Sequence, residues 1–355
     1  MRKLVIEKSA VKNNLSVIKE HAAGAVIYGV LTGDGGGAGI APMARLLREE
    51  GIGRFAVSEV SEARALRKAG FVDEEILMLC STTDREELEE LVDLNVVCTI
   101  SSVDTGLALN ALAENRSTVV EAHIQVDTGM GFGGFLVGEP EKILLAYRSL
   151  PNVALSGIYT QLHAARPGDP ETRRQLEQFH HVLEAVHAAG FETGLVHGAG
   201  SFALLHDQEA RLDGVRAGSA ILGRCRRTRD DGLKTVGYGL AALTEVRWLP
   251  KGHTVGTDRP IVLRKPTRVA VLPVGYLNGF GVYRVRETGF WAMVRRWRRN
   301  KKRTVRIGEQ RARLLGPVGA VESLVDVTNL RCSAGDLVTF DIDPLFARGF
   351  TVEFR

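Results

Sequence analysis

The sequence predicts an α/β fold, a (β/α)8 TIM-like barrel over residues 1–235 followed by a C-terminal β-strand domain over residues 236–355. Three observations carry this. Up to about residue 225, short β-rich runs alternate with helical patterns at intervals of roughly 20–40 residues, the rhythm of βα units around a parallel sheet. There are eight such runs, enough to close a barrel. After residue 235 the texture changes to valine- and threonine-rich segments with turn residues and no intervening helices, as in "TRVAVLPVGY", "RARLLGPVGAV" and "GDLVTFDIDP".

The strands read, in order, "AVIYGVL", "RFAVSE", "EILMLC", "VCTISS", "VEAHIQVDTG", "LSGIYTQLH", "GLVHGAG" and "DGVRAGSAIL". Between them "APMARLLREEG", "SEARALRKAG" and "REELEELVDLN" place apolar residues three and four apart, and two of these end in glycine. The first strand runs into "TGDGGGAG" at 32–39. Glycine supplies positive φ and close approach but no functional group, so the expectation is a backbone held close to a ligand. Barrel chemistry sits at the C-terminal strand ends, which puts Thr32, Asp127, Gln161, His163, Gly200 and Arg216 on the active face.

Composition excludes several classes. With 45% hydrophobic and 25% charged residues the chain reads as globular. No apolar run approaches the roughly 20 residues needed to span a bilayer, and "MRKLVIEKSAVKNN" lacks a signal-peptide core, so no membrane is expected and the location is expected to be cytoplasmic. Cys80, Cys98, Cys225 and Cys332 have no C-x-x-C spacing, which fits reduced thiols and no metal site. A net charge of +4 is concentrated in "VRRWRRNKKRTVR" at 294–306. Such runs are usually solvated faces, and nucleic acid is not the expected partner.

The ordered motifs "YGVLTGDGGGAG", "HIQVDTGMGFGGF", "GIYTQLHAA", "LVHGAGSFALL", "DGVRAGSAILGR", "LPKGHTVG", "VLPVGYLNGFG" and "GPVGAVESLVDVT" resemble the alanine racemase family over nearly the whole chain. The resemblance implies fold type III pyridoxal-phosphate (PLP) enzymes, dimers whose barrel carries the cofactor. It also implies departures. Thr32 stands at the position of the Schiff-base lysine, and Gly36 at the tyrosine that bonds the phosphate, in a pattern Lys-x-Asn/Asp-x-Tyr-Gly-x-Gly. Phe132 stands at an arginine near the cofactor's phenolic oxygen, Gln161 at a histidine near its ring, and Gly200-Ser201 at Asn-Ser. Gly316-Pro317-Val318-Gly319-Ala320 replaces G-R-V-x-M. What persists is Arg216, implied to face the pyridine nitrogen, the phosphate group of Ser201, Gly218 and Ser219, and Tyr276, implied to be the second catalytic base.

These departures imply that covalent PLP attachment is not expected and that the cavity is larger, with Asp34, Phe132, Gln161, His163, Arg166, His197 and Glu322 as pocket groups. Three functions follow. The first is a racemase-fold protein that binds another small molecule or does altered chemistry. The second is a non-catalytic subunit partnering a racemase paralogue, and the third a working PLP amino-acid racemase. A homodimer is expected, with the insertion at 284–304, carrying Trp291 and Trp297, near the contact.

Overall fold

The computed structural model describes residues 1–163, 168–225, 231–256, 260–282 and 303–355. They form two compact units, Ser9–Thr235 and Met1–Lys8 with Val236–Arg355.

The chain opens with β1 (Arg2–Ile6), which belongs to the second unit. Helix α1 (Lys8–Ala22) begins the barrel and buries Val11, Leu15 and Ile18, spaced so that one face meets the core. The barrel strands are β2 (Val26–Val30), β3 (Arg54–Val57), β4 (Glu75–Met78), β5 (Cys98–Ile100), β6 (Val120–Asp127) with the two-residue β7 (Phe135–Leu136) beside it, β8 (Val153–Thr160), β9 (Leu195–Gly200) and β10 (Gly214–Ala217). Their order is β4-β3-β2-β10-β9-β8-β6-β5, every pair parallel, and a parallel bridge between Leu77 and Val97 brings β4 to β5. The eight-stranded barrel expected from the sequence is present.

The connections are α2 (Thr32–Gly36), α3 (Ile40–Glu49), α4 (Val60–Lys68), α5 (Arg85–Asp93), α6 (Val103–Asn115), α7 (Pro140–Ser149), α8 (Pro170–Ala188) and α9 (Ser201–His206). Several start where side-chain oxygens accept the first free backbone N–H groups. Asp84 accepts from Glu87 at α5, Ser102 and Thr105 cap α6 reciprocally, and Asp169 accepts from Glu171 at α8 with Pro170 in the first turn.

The second unit is a nine-stranded sheet. It is built from β1 with β11 (Tyr238–Ala242), β12 (Glu245–Leu249), β15 (Thr267–Leu272), β16 (Thr304–Ile307), β17 (Gln310–Leu315), β18 (Ser323–Asp326), β19 (Leu337–Asp341) and β20 (Thr351–Phe354); β13 (Thr254–Val255) and β14 (Ile261–Val262) form a separate hairpin. Residues 1–8, counted with the barrel in the sequence reading, pair here instead: β1 lies antiparallel to β11 and parallel to β20, and Leu4, Val5 and Ile6 are fully buried. An apolar strand must bury its side chains and complete its backbone ladder, and these partners do both. Among the described residues no helix is long and apolar enough to cross a membrane.

Candidate functional site

Strand β2 ends at the rim of the barrel in α2, which is left-handed. Gly33, Asp34 and Gly35 have φ of 71°, 56° and 64°, and Gly36 and Gly37 follow at 67° and 84°. Gly35 N–H donates to Leu31 O (2.8 Å), Gly37 N–H to Gly33 O (2.7 Å) and Gly39 N–H to Asp34 O (2.9 Å). A left-handed helical turn costs an L-residue about 1–2 kcal/mol, and glycine is spared that cost. The glycines therefore serve a backbone turn, where the sequence suggested close approach to a ligand. Thr32, partly buried, is the first residue of this turn, and Gly36 its last.

Asp34, expected in the pocket, is turned back onto the fold: its carboxylate accepts from Ile40 N–H (2.8 Å) at the start of α3. At the other end of the turn the buried carboxylate of Glu62, on α4, accepts from Gly33 N–H (2.6 Å) and Asp34 N–H (3.1 Å). The sequence reading did not single out Glu62; its signal was a glutamate three residues inside a helix start, the pattern of a capping box.

Beneath the rim the lumen holds a polar network. Arg216 on β10 is 3% exposed. One terminal nitrogen, Nη1, donates to His197 Nδ1, and the other, Nη2, donates to Thr160 O (2.6 Å) and to Gln161 Oε1 (3.0 Å). Arginine can only donate, so His197 Nδ1 accepts and His197 carries its proton on Nε2, which donates to His123 Nδ1 (3.0 Å). Tyr159 stacks on His197 with centroids 4.9 Å apart and lies 4.9 Å below the Arg216 guanidinium carbon. His123 fits because β8 has Gly157 opposite it, where a Cβ would fall 2.6 Å from the ring.

Burial sets the charge states. Desolvation lowers the Arg216 guanidinium to about 10, still charged at neutral pH. Desolvation, with the Arg216 charge beside it, pushes His197 well below its usual value and His123 down to about 4, so both are neutral. His197 was expected at the mouth; it is fully buried because its strand position turns it into the lumen. His123 and Tyr159 went unnoticed in the sequence, although their every-other-residue placement on strands was visible.

The Ser201 hydroxyl oxygen accepts from Gly218 N–H (2.9 Å) and Ala220 N–H (3.1 Å), joining the ends of β9 and β10, with Ser219 between those two residues. Gln161 and His163 are exposed on the loop after β8, where His163 N–H donates to Gln175 Oε1 (2.7 Å). Phe132, expected as an apolar wall, is 79% exposed on a loop whose Gly131, Gly133 and Gly134 all have positive φ. Asp127 is engaged by that loop's own Gly129, Met130 and Gly131 N–H groups. Tyr276 and Glu322 lie in the second unit, both exposed, with Tyr276 N–H donating to Gly319 O (2.9 Å). Arg166 and residues 283–302, which hold Trp291, Trp297 and most of the basic run, lie outside the described residues.

The structure thus gathers Arg216, His197 and Gln161 into one network, and Ser201 with Gly218 into another. The rim carboxylates Glu62, Asp34 and Asp127 are each occupied by backbone N–H groups. Among the described residues, the buried Arg216 lies below the rim, with the Gln161 amide bonded to it and the Ser201 hydroxyl at the end of β9.

Comparison with known proteins bears on this geometry. Residues 6–225 match the alanine racemase N-terminal domain and residues 240–343 its C-terminal domain. The alanine racemase of Carboxydothermus hydrogenoformans is 32% identical over 278 residues, 76% of this chain and 74% of that protein. Among solved structures, the alanine racemase of Streptomyces lavendulae superposes with a TM-score of 0.88 at 21% identity, covering 100% of this chain and 97% of its own. That of Bartonella henselae, solved with covalently bound pyridoxal phosphate, superposes with a TM-score of 0.83 at 20% identity, covering 100% and 99%. The barrel, the second sheet and both domain matches agree, and the chain belongs to the alanine racemase family.

Proposed function

We propose that this chain is a divergent family member that does not hold pyridoxal phosphate covalently, and that its barrel mouth binds a different small molecule or carries out altered chemistry. The observation that supports this is Thr32, the residue that follows Leu31 at the end of β2 and that the motif resemblance aligns with the family's lysine. A hydroxyl cannot form a Schiff base and is a poor base without an activator. No lysine elsewhere in the barrel strands stands in for it: between Ser9 and Thr235 the lysines are Lys12 and Lys19 on α1, Lys68 on α4, Lys142 on α7 and Lys234 after β10.

The residues present do not fit a covalently held PLP. Thr32 has no amine, Gly36 no phenol and Phe132 no charge. The parts that fit a flat anionic ligand are Arg216, and Ser201 with the N–H groups around it. Ser201 keeps its own hydroxyl proton for donation, since its oxygen already accepts twice. A homodimer belongs to the same reading. The second unit exposes Tyr276, Leu277 and Val321 on two loops tied by Tyr276 N–H to Gly319 O and Leu277 N–H to Ala320 O (3.0 Å), an apolar surface suited to a second copy.

One observation favours a second reading, an ordinary amino-acid racemase: relatives at 28–32% identity over three quarters or more of the chain are named alanine racemases. A single experiment separates the two. The purified chain, incubated with pyridoxal phosphate and borohydride and digested, is expected to carry no pyridoxyl-lysine in the barrel and to leave L-alanine unracemised. Robust racemisation would overturn the first reading in favour of the second.

A further inference from the structure

We infer that Glu62 is the positioning residue that fixes residue 32 at the barrel mouth. The inference rests on the reading above only in taking position 32 as a point where ligand is met.

Glu62 is 8% exposed, and its two carboxylate oxygens divide their work. Oε2 accepts from Ser58 N–H (3.0 Å) and Glu59 N–H (3.3 Å), at the end of β3 and the start of α4. These are the local bonds of a capping box and would be made by a glutamate in any such helix start. Oε1 accepts from Gly33 N–H (2.6 Å) and Asp34 N–H (3.1 Å), from a segment 28 and 29 residues away in sequence. No helix-capping rule accounts for that pair.

The geometry explains why the far pair is needed. The first N–H groups of a helical turn have no acceptor within it, whichever its hand, and in the left-handed turn after β2 these belong to Gly33 and Asp34. Both residues are exposed at the rim. Glu62 supplies the missing acceptor at the entry of the turn, and Asp34 closes its exit on Ile40 N–H. Thr32 lies between the end of β2 and the pinned Gly33, so the direction of its side chain is set by a carboxylate that does not touch it. With four donors, that carboxylate is satisfied and acts through residue 32 alone.

Amide hydrogen exchange on the natural chain and three variants tests this. In the natural chain Gly33 and Asp34 N–H are expected to exchange slowly although their residues are exposed; exchange at the rate of free amides overturns the proposal without any variant. Glu62→Gln is expected to speed exchange across residues 31–39 at least about tenfold. Glu62→Asp retains the charge on a shorter arm and is expected to release Gly33 and Asp34 while sparing Ser58 and Glu59. Glu59→Ala, which removes the neighbouring carboxylate that accepts from the Ser61 hydroxyl but leaves the Glu62 bonds in place, is expected to change residues 31–39 by less than about twofold. Unchanged exchange at 31–39 in both Glu62 variants, or equal acceleration in Glu59→Ala, overturns the positioning role. A second arm reads position 32 directly through borohydride capture of pyridoxal phosphate by Thr32→Lys, expected to fall at least about tenfold when Glu62→Asp is added. Equal capture also overturns the role of Glu62. Absence of capture in Thr32→Lys itself counts against the reading of position 32, and the exchange arm then decides the clamp.

Discussion

The lumen of the barrel and the rim turn that ends β2 belong to one unit and are held by different means. In the lumen, Arg216, His197, His123 and Tyr159 are bound side chain to side chain, each buried. Removing one strands its neighbours in a medium without water. On the rim, Thr32 to Gly37 are held by backbone bonds and by Glu62 and Asp34, and the turn depends on no side-chain bond from position 32, although Gly36 lies against Leu222, where an added Cβ would fall 2.7 Å from Cδ1. The difference teaches where a fold of this kind is free to change: loss of a group embedded in the lumen costs stability, whereas the side chain at position 32 can be exchanged at little structural cost.

That contrast is open to attack from both sides. The largest effect is expected from Arg216→Leu, which leaves His197 Nδ1 and Thr160 O without a donor and should cost about 3–5 kcal/mol, read as a fall in the denaturant midpoint. A loss below about 1 kcal/mol would mean that the lumen network is not mutually dependent.

Acid should act on the lumen next. His123 is lowered from 6.5 to about 4 by burial and by the nearby Arg216 and Arg54 charges. Between these two values the unfolded chain takes up a proton that the folded chain refuses. The stability present above pH 6.5 is therefore lost as pH falls toward 4, by about 3 kcal/mol for this group, with His197 acting in the same direction. Urea midpoints at pH 7.5 and 4.5 test it, and His123→Gln should flatten the difference; an equally steep fall in that variant would assign the acid sensitivity elsewhere.

At position 32, exchange of the side chain should be structurally cheap and chemically insufficient. Thr32→Lys is expected to fold as the natural chain does and to leave alanine racemisation negligible. Adding Gly36→Tyr and Phe132→Arg should raise any rate by at least about a hundredfold, because misplacement of a reacting group by about 1 Å can cost that much. Racemisation by Thr32→Lys alone at the level of the triple variant would show that the rim needs only its amine.

The smallest effects sharpen the account of the turn. Gly36→Ala must adopt φ of 67° with its Cβ 2.7 Å from Leu222 Cδ1, whereas Gly51→Ala, at φ of 78°, meets nothing within 4 Å. Thermal melts are expected to show a loss of about 1 kcal/mol for Gly51→Ala and a larger one, about 2 kcal/mol, for Gly36→Ala. Equal losses would mean that Leu222 yields freely.

Much of the fold was legible because it is written in local periodicity. Seven of the eight barrel strands lie within the β-rich runs, β8 begins two residues before its run, and α3, α4 and α5 fall on the three segments with apolar residues three and four apart. What escaped depends on partners far away in sequence. β1 carries an ordinary apolar pattern, and only pairing with β11 and β20 places it in the second sheet. In the candidate site, Arg216 and Gln161 were legible from their positions at strand ends, and Ser201 and Gly218 from the family resemblance alone. The left-handed turn of the glycine run was not foreseen, because glycine permits both a close approach and such a turn and composition does not distinguish them. Asp34 illustrates the same gap, since a carboxylate within a glycine loop reads as a ligand group until the N–H group it accepts from is known, and Glu62, 28 residues away, gave no sign of reaching that loop.

The pairing of β1 has a consequence during synthesis. At about 5–20 residues per second, the ribosome releases β1 tens of seconds before β11 and longer still before β20. During that interval Leu4, Val5 and Ile6 wait as an unpaired apolar strand while Ser9–Thr235 is still being made, and the last barrel strand, β10, precedes β11 by only about twenty residues. β1 is therefore an unpaired, sticky edge while the barrel forms, and the unit it belongs to is the last to be completed.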